Sequence, residues 1–217
     1  MDSQLLNSLW VATLETFYMV SVSAALAALF GLPLGLLLVI MGPHGFVFRP
    51  TLHRLLGTIV NAGRSLPFII LLVAIIPLTR LIVGTTIGST AALVPLTLSA
   101  IPFFARVSET SLLEVDRGLI EAAESMGCTY GQIIIKVLIP EALPSLVLGL
   151  TIMVISLIGY SAMAGVVGGG GLGDLAIRYG YQRFDTQVMI ITVILLIVLV
   201  QLVQWTGDAI AHQLRKR

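Results

Sequence analysis

Only 11% of the 217 residues in this chain are charged, less than half of the roughly 25% usual in a soluble domain. The apolar share is 57% and the mean hydropathy is +1.03, so this composition suits lipid as its solvent. A net charge of +1 supplies no basic field, which excludes nucleic acid as a partner. Cysteine occurs once, at Cys128, which excludes an internal disulfide and a cysteine-based zinc site. His44, His53 and His212 lack ligand spacing and read as solvated or headgroup-level side chains. The first ten residues hold no Lys or Arg. A cleavable signal peptide needs a basic start and a short apolar run, so none is expected, and the first helix directs insertion. No G-x-x-x-x-G-K-S/T motif occurs, so the chain has no P-loop of its own.

What fills the chain instead is long apolar runs. A spanning helix needs about 20 mostly apolar residues. Runs at 17–42, 55–79, 91–113, 142–167 and 187–207 qualify, with Arg64, Arg106 and Glu109 as their charged residues. The fold expected is all-α and integral to a membrane, with five transmembrane helices. An amphipathic segment at 5–15 either lies on the surface or extends the first helix. Nine of the twelve Lys and Arg residues fall on one side of this topology, the tail Arg215-Lys216-Arg217 among them. The positive-inside rule makes that side cytoplasmic. The N-terminus is then outside, and the loop at 113–140 faces the cytoplasm.

That loop is too charged for hydrocarbon, with Glu114, Asp116, Arg117, Glu121, Glu124 and Lys136. Helical spacing over 113–126 places Leu119, Ala122, Ala123 and Met126 on one face. Gly127 is the stop signal. Thr129-Tyr-Gly-Gln132 reads as a capping box, so a second helix starts near Tyr130 and runs to Leu138. Pro140 is disfavoured inside a helix and marks the entry to the next span. Two short helices with a bend make a compact knob. Ala122 and Ala123 are small enough to let a partner's backbone approach.

The order Glu121-Ala-Ala, then Gly127, then Ile139-Pro140 resembles the "EAA" loop of the membrane subunits of bacterial ABC importers. The resemblance covers nearly the whole chain and points to the type I permeases, a transmembrane domain over 13–207. Within them it is closest to the permeases of D/L-methionine importers. Arg64-Ser-Leu-Pro-Phe-Ile-Ile-Leu-Leu, Ile82-Val-Gly-Thr-Thr-Ile-Gly88, Gly159-Tyr-Ser-Ala-Met-Ala-Gly165 and Tyr179-Gly-Tyr181 narrow it. The resemblance implies a permease of the bacterial inner membrane that moves an amino acid, methionine in particular, by alternating access. It implies a homodimer, two copies of an ATP-binding subunit and an external substrate-binding lipoprotein. ATP and Mg belong to the partner, so this chain is not itself an enzyme and binds no cofactor. Glu121, Ala122, Ala123 and Gly127 become the residues that couple to the ATPase.

In a two-fold dimer, residues at a helix break can line a central path. Tyr160, Ser161 and Met163 lie where the fourth span meets its glycines, and Met163 is soft enough to serve as a gate. Packing between helices or against lipid is the plainer role for each. Gly168-Gly-Gly-Gly-Leu-Gly173 matches G-x-G-x-x-G, but a strand should precede a dinucleotide loop; a flexible, close-passing exit from the span is expected. Gly31-x-x-x-Gly35 suits helix contact, within the chain or between chains, and Pro33 suggests a local kink. Arg64 is close enough to its span's end to snorkel. A stand-alone channel, a proton-coupled carrier and an importer of another small polar solute are the alternatives. A carrier needs an acid deep in a span, and Glu109 is the one candidate near an interior.

Overall fold

The computed structural model describes residues 3–43 and 45–215. His44, Lys216 and Arg217, which entered the readings above, lie outside them. The described residues form helices and connecting turns, with no strand among them. Among the described residues four helices are long and apolar enough to cross a membrane, and five segments do so when a bent pair is counted as one span.

Helix α1 covers Ser3–Met41 without interruption. The segment at 5–15 therefore extends the first helix, and the helix runs on through Pro33. Its 39 residues amount to about 58 Å, so it outruns a hydrocarbon core of about 30 Å. Gly31 and Gly35 face helix α5 (Ser89–Leu113). A Cβ on Gly35 would stand 2.5 Å from the Ala105 carbonyl oxygen. The glycine pair thus serves contact inside the chain.

The expected single span at 55–79 is broken. Helix α2 (Pro50–Ser65) meets α3 (Phe68–Ala74) at 99°, and α4 (Ile76–Val83) follows. Proline biases the preceding residue toward extended backbone, and Leu66 before Pro67 has φ −81° and ψ 126°. Pro67 also brings no N–H to continue the helical ladder.

Beyond α5, the expected helix over 113–126 begins late. Asp116 accepts the Gly118 N–H at 2.6 Å and caps α6 (Arg117–Ser125), because a short carboxylate outcompetes the backbone at a helix start. Helix α7 starts at Tyr130 as expected (Tyr130–Ile133). It does not stop before Pro140. It passes through a π-helical stretch, Ile134–Leu138, into α8 (Ile139–Val166). A π turn bonds i to i+5, and this wider turn leaves room for a proline ring that would clash in an α-helix. The knob's second helix and the fourth span are therefore one rod.

A glycine turn leads from α8 to α9 (Gly171–Leu175) and a second π stretch, Ala176–Tyr181. Helix α10 (Thr186–Arg215) closes the chain. The main core lies between α1, α5 and α8, where Met19, Leu96, Phe104, Met153 and Leu157 are buried. In lipid such packing gains little from the hydrophobic effect and relies on close van der Waals fit and small residues. Gly207 on α10 shows the same device, seated directly on Thr151 of α8.

Candidate coupling knob and gate

The knob is a short helix, a left-handed residue and a second helix start. Gly127 has φ +78°. Its N–H donates to the Glu124 carbonyl at 2.9 Å, and the Cys128 N–H donates to the Ala123 carbonyl at 3.1 Å. This pair of bonds is the Schellman arrangement, which satisfies the last carbonyls of α6. Gln132 accepts the Thr129 backbone N–H at 2.9 Å and closes the capping box. The turn is held by its own backbone and caps.

The expected apolar face of α6 is split. Ala123 is buried, while Leu119, Ala122 and Met126 are exposed, Met126 at 76%. The helix docks on the chain through Ile120 and Ala123, one step round from the face expected, and so leaves an apolar stripe free. Glu121 and Glu124 are exposed beside it. Phe46 stacks on Tyr130 with ring centroids 5.0 Å apart, and Ser145 of α8 donates to Glu114 at 2.8 Å. Both contacts fix the knob to the bundle. A cleft of about 310 Å³ runs between knob and bundle, lined by Phe46, Leu112, Ile120, Glu124 and Tyr130 among others. Around Gly127 no atom would lie within 4 Å of an added Cβ. The first carbon of a side chain there therefore has open space, and its cost within the chain is the left-handed backbone angle.

The three residues at the end of the fourth span have different surroundings. Tyr160 is half-buried and stacks on Phe68 of α3, with centroids 4.7 Å apart and planes within 6°. Ser161 is buried and donates to the Ile158 carbonyl at 2.7 Å. Met163 is 46% exposed and shares an outer face with Gly159 and Val166. The structure thus joins Tyr160 to the broken second span, and of the three leaves Met163 the most open to a neighbour.

Four polar anchors hold the bundle, and two of them, Glu15 and Thr16, are not apparent from local sequence. Glu15 on α1 accepts the Gly171 N–H at 2.7 Å, and Thr16 beside it accepts the Leu172 N–H at 2.9 Å. The glycine-rich exit is therefore pinned as well as closely packed. Asp174 pairs with Arg178 at 2.5 Å. Glu109 is buried and pairs with Arg106 at 2.5 Å. Glu109 is therefore not the one acid near an interior, and each of these three carboxylates is engaged in holding the fold. His53, read as solvated, is half-buried and bonds the Leu38 carbonyl at 3.1 Å through Nδ1, tying α2 to α1. Arg64 is exposed in the last turn of α2, its guanidinium 5.9 Å from the Phe103 ring centroid.

Residues 31–216 match the family described as binding-protein-dependent transport system inner membrane component. The chain belongs to that family. It is thus a multi-pass component of an inner-membrane transport system. The chain is 55% identical over 214 residues to the probable D-methionine transport system permease protein MetI of Vibrio cholerae, covering 98% of this chain and 95% of that one. It is 42% identical over 212 residues to the methionine import system permease protein MetP of Bacillus subtilis, with 98% and 96% covered. Among solved structures it resembles a chain of the MetNI methionine ABC transporter in an inward-facing conformation. The TM-score is 0.97, with 48% identity and 99% of both chains covered. A second resemblance, to a chain of an amino acid ABC transporter, has a TM-score of 0.79 at 19% identity, with 97% of this chain and 95% of that one covered; it speaks for the fold alone.

Proposed function

We propose that this chain is the membrane-spanning permease of an ATP-driven importer that brings methionine, in D or L form, into the cell. Two copies form the path. Two ATP-binding subunits, which hold ATP and Mg, drive it, and an external substrate-binding lipoprotein delivers the solute. The N-terminus lies outside, and the knob and C-terminus lie in the cytoplasm. The observation that carries this reading is the knob itself: a rigidly capped turn with Leu119, Ala122 and Met126 exposed beside Glu121 and Glu124. An apolar stripe with an acidic edge suits a groove in a partner protein.

The knob continues into α8 as one rod, Tyr130–Val166. A pull on the knob then acts directly on Tyr160, Ser161 and Met163 at the rod's other end, and the spans rock around the path. Met163 faces its symmetry mate and closes the path without charge.

Purification of the tagged chain tests the assembly: a stoichiometric ATPase should accompany it, and the pair should take up labelled methionine in proteoliposomes only with ATP inside the nucleotide-accessible compartment. Uptake without any ATPase would replace this reading with a channel. Single cysteines at positions 3 and 213 in a Cys128→Ser background test the orientation, and labelling of position 213 from outside sealed cells would reverse it. A Met163→Cys variant in the same background should crosslink to its copy in at least one nucleotide state. If it never does, Met163 packs elsewhere.

A further inference from the structure

Along α8 the buried residues keep a helical rhythm. Leu138, Ala142, Leu146, Gly149 and Met153 follow one another at steps of three or four. The next buried residue toward the knob is Ile133, five positions before Leu138. A step of five on one face is the mark of the π turn between them, where the Ile139 N–H reaches back to the Ile134 carbonyl. In an uninterrupted α-helix five residues amount to about 500°, which would turn Ile133 about 140° away from Leu138. Ile134, four positions back, would stand only about 40° off and take its place.

Hydrophobicity does not choose between these two registers. Residues 133, 134 and 135 are all isoleucine, yet Ile133 is fully buried, Ile134 half-buried and Ile135 69% exposed. Pro140 is placed to make the choice. In an α-helix its ring would strike the Lys136 carbonyl, and it brings no N–H to that carbonyl. Pro144, one turn on, leaves the Pro140 carbonyl without its donor in the same way. Pro33, Pro95 and Pro102 lie inside helices that stay α-helical. Among the described helices only Pro140 and Pro144 stand one turn apart, and the π stretch directly precedes them.

We infer that Pro140 is a positioning residue for coupling: it holds the π turn, and the π turn sets the angle at which the knob is mounted on the α8 rod. A π turn takes in one residue more than an α turn, so its loss would swing the knob by about 100° around the rod. Tyr130 would leave its stack on Phe46, and the exposed stripe of Leu119, Ala122 and Met126 would face elsewhere. What the angle serves rests on the coupling reading above; the angle itself follows from the five-residue step.

Compensation tests it. Deleting one residue from the stretch offsets the rotation that an α-helical register would add, so Pro140→Ala and deletion of Ile135 should correct each other. Ile133→Cys in a Cys128→Ser background reports the register, through its rate of reaction with N-ethylmaleimide in membranes holding the full assembly. ATP-driven methionine uptake, measured in the same variants with Ile133 retained, reports coupling. Pro140→Ala should speed the thiol reaction about tenfold, because a buried group reacts only when its surroundings open or turn, and should lower uptake. Deletion of Ile135 with Pro140 in place should lower uptake as well. The two changes together should restore both the slow thiol reaction and the uptake. A Pro140→Ala chain with the parent's thiol rate means that the proline does not hold the turn, and overturns the inference. A double variant no better than either single one does the same, since the stretch then sets no angle. If the thiol rates compensate while the parent itself takes up no methionine, the mounting angle stands and the importer reading falls.

Discussion

At Gly127 the chain turns with φ +78°, and a Cβ added there would meet nothing within 4 Å; at Gly173, in α9 where it leaves the second glycine turn, the same atom would lie 2.3 Å from the Cα of Ala162. Both turns join helices, and both read as glycine signals. The first needs glycine for its backbone angle. The second needs it for both, since Gly168, Gly170 and Gly171 also have positive φ and Gly173 lies directly on α8. Gly165 makes the same contact from the other side, where an added Cβ would stand 2.2 Å from the Asp174 nitrogen. A turn with free space around it can offer its surface to a partner. A turn without such space transmits position within the bundle. The knob and the glycine turn lie at opposite ends of the Tyr130–Val166 rod, so one is suited to receive force and the other to hold the rod's far end in place.

The sharpest way to break this contrast is to add a methyl group at the crowded site. Gly173→Ala should destabilise the detergent-solubilised protein by about 3 kcal/mol or more, since overpacking costs 1–3 kcal/mol even when side chains can shift, and here backbone must move. Thermal unfolding followed by size-exclusion chromatography would read it, and an unchanged midpoint would mean α8 and α9 are not in contact. A smaller effect is expected at the anchor of the same turn. Glu15→Ala removes the acceptor of the Gly171 N–H and should cost about 2 kcal/mol, the range for a hydrogen bond to a charged group. Glu15→Gln, which keeps an oxygen there, should recover much of that loss in the same assay.

At the open turn, stability and transport should separate. Gly127→Trp should leave insertion and unfolding nearly unchanged apart from about 1 kcal/mol of left-handed strain, while transport falls about tenfold, equivalent to about 1.4 kcal/mol. Gly127→Asn, which tolerates that backbone angle, should keep most of the transport. Normal uptake by Gly127→Trp would remove the knob from the coupling role. The smallest effect belongs to the N-cap. Asp116→Ala should loosen α6 by about 1 kcal/mol, seen as faster amide exchange confined to Arg117–Ser125, and exchange spreading through α8 would show that α6 and the rod are less independent than the separate cap of α6 implies.

Where the chain's order alone decides structure, the reading holds closely. Thr129, Gln132 and Gly127 act on backbone groups at most five residues away, and the helix stop and start appear where those residues stand. Apolar run length likewise places the four continuous spans, because each backbone group in lipid must be satisfied within its own helix. The breaks depend on a balance of local effects. Pro67 breaks its helix and Pro140 does not; a π turn accommodates Pro140, while after Pro67 the chain turns so that Phe68 and Leu72 of α3 enter the main core. The choice of face on α6 depends on the surface it docks against, which no spacing contains.

The chain's own order therefore determined the membrane as solvent, the four continuous apolar helices and the capped knob, because hydropathy and capping act over one helix at a time. Tertiary structure decided which glycines are crowded and which acids are engaged. Glu15 and Gly171 are 156 residues apart, and nothing in either neighbourhood names the other. Their bond exists because α1 packs alongside α9, and packing geometry belongs to the assembled bundle.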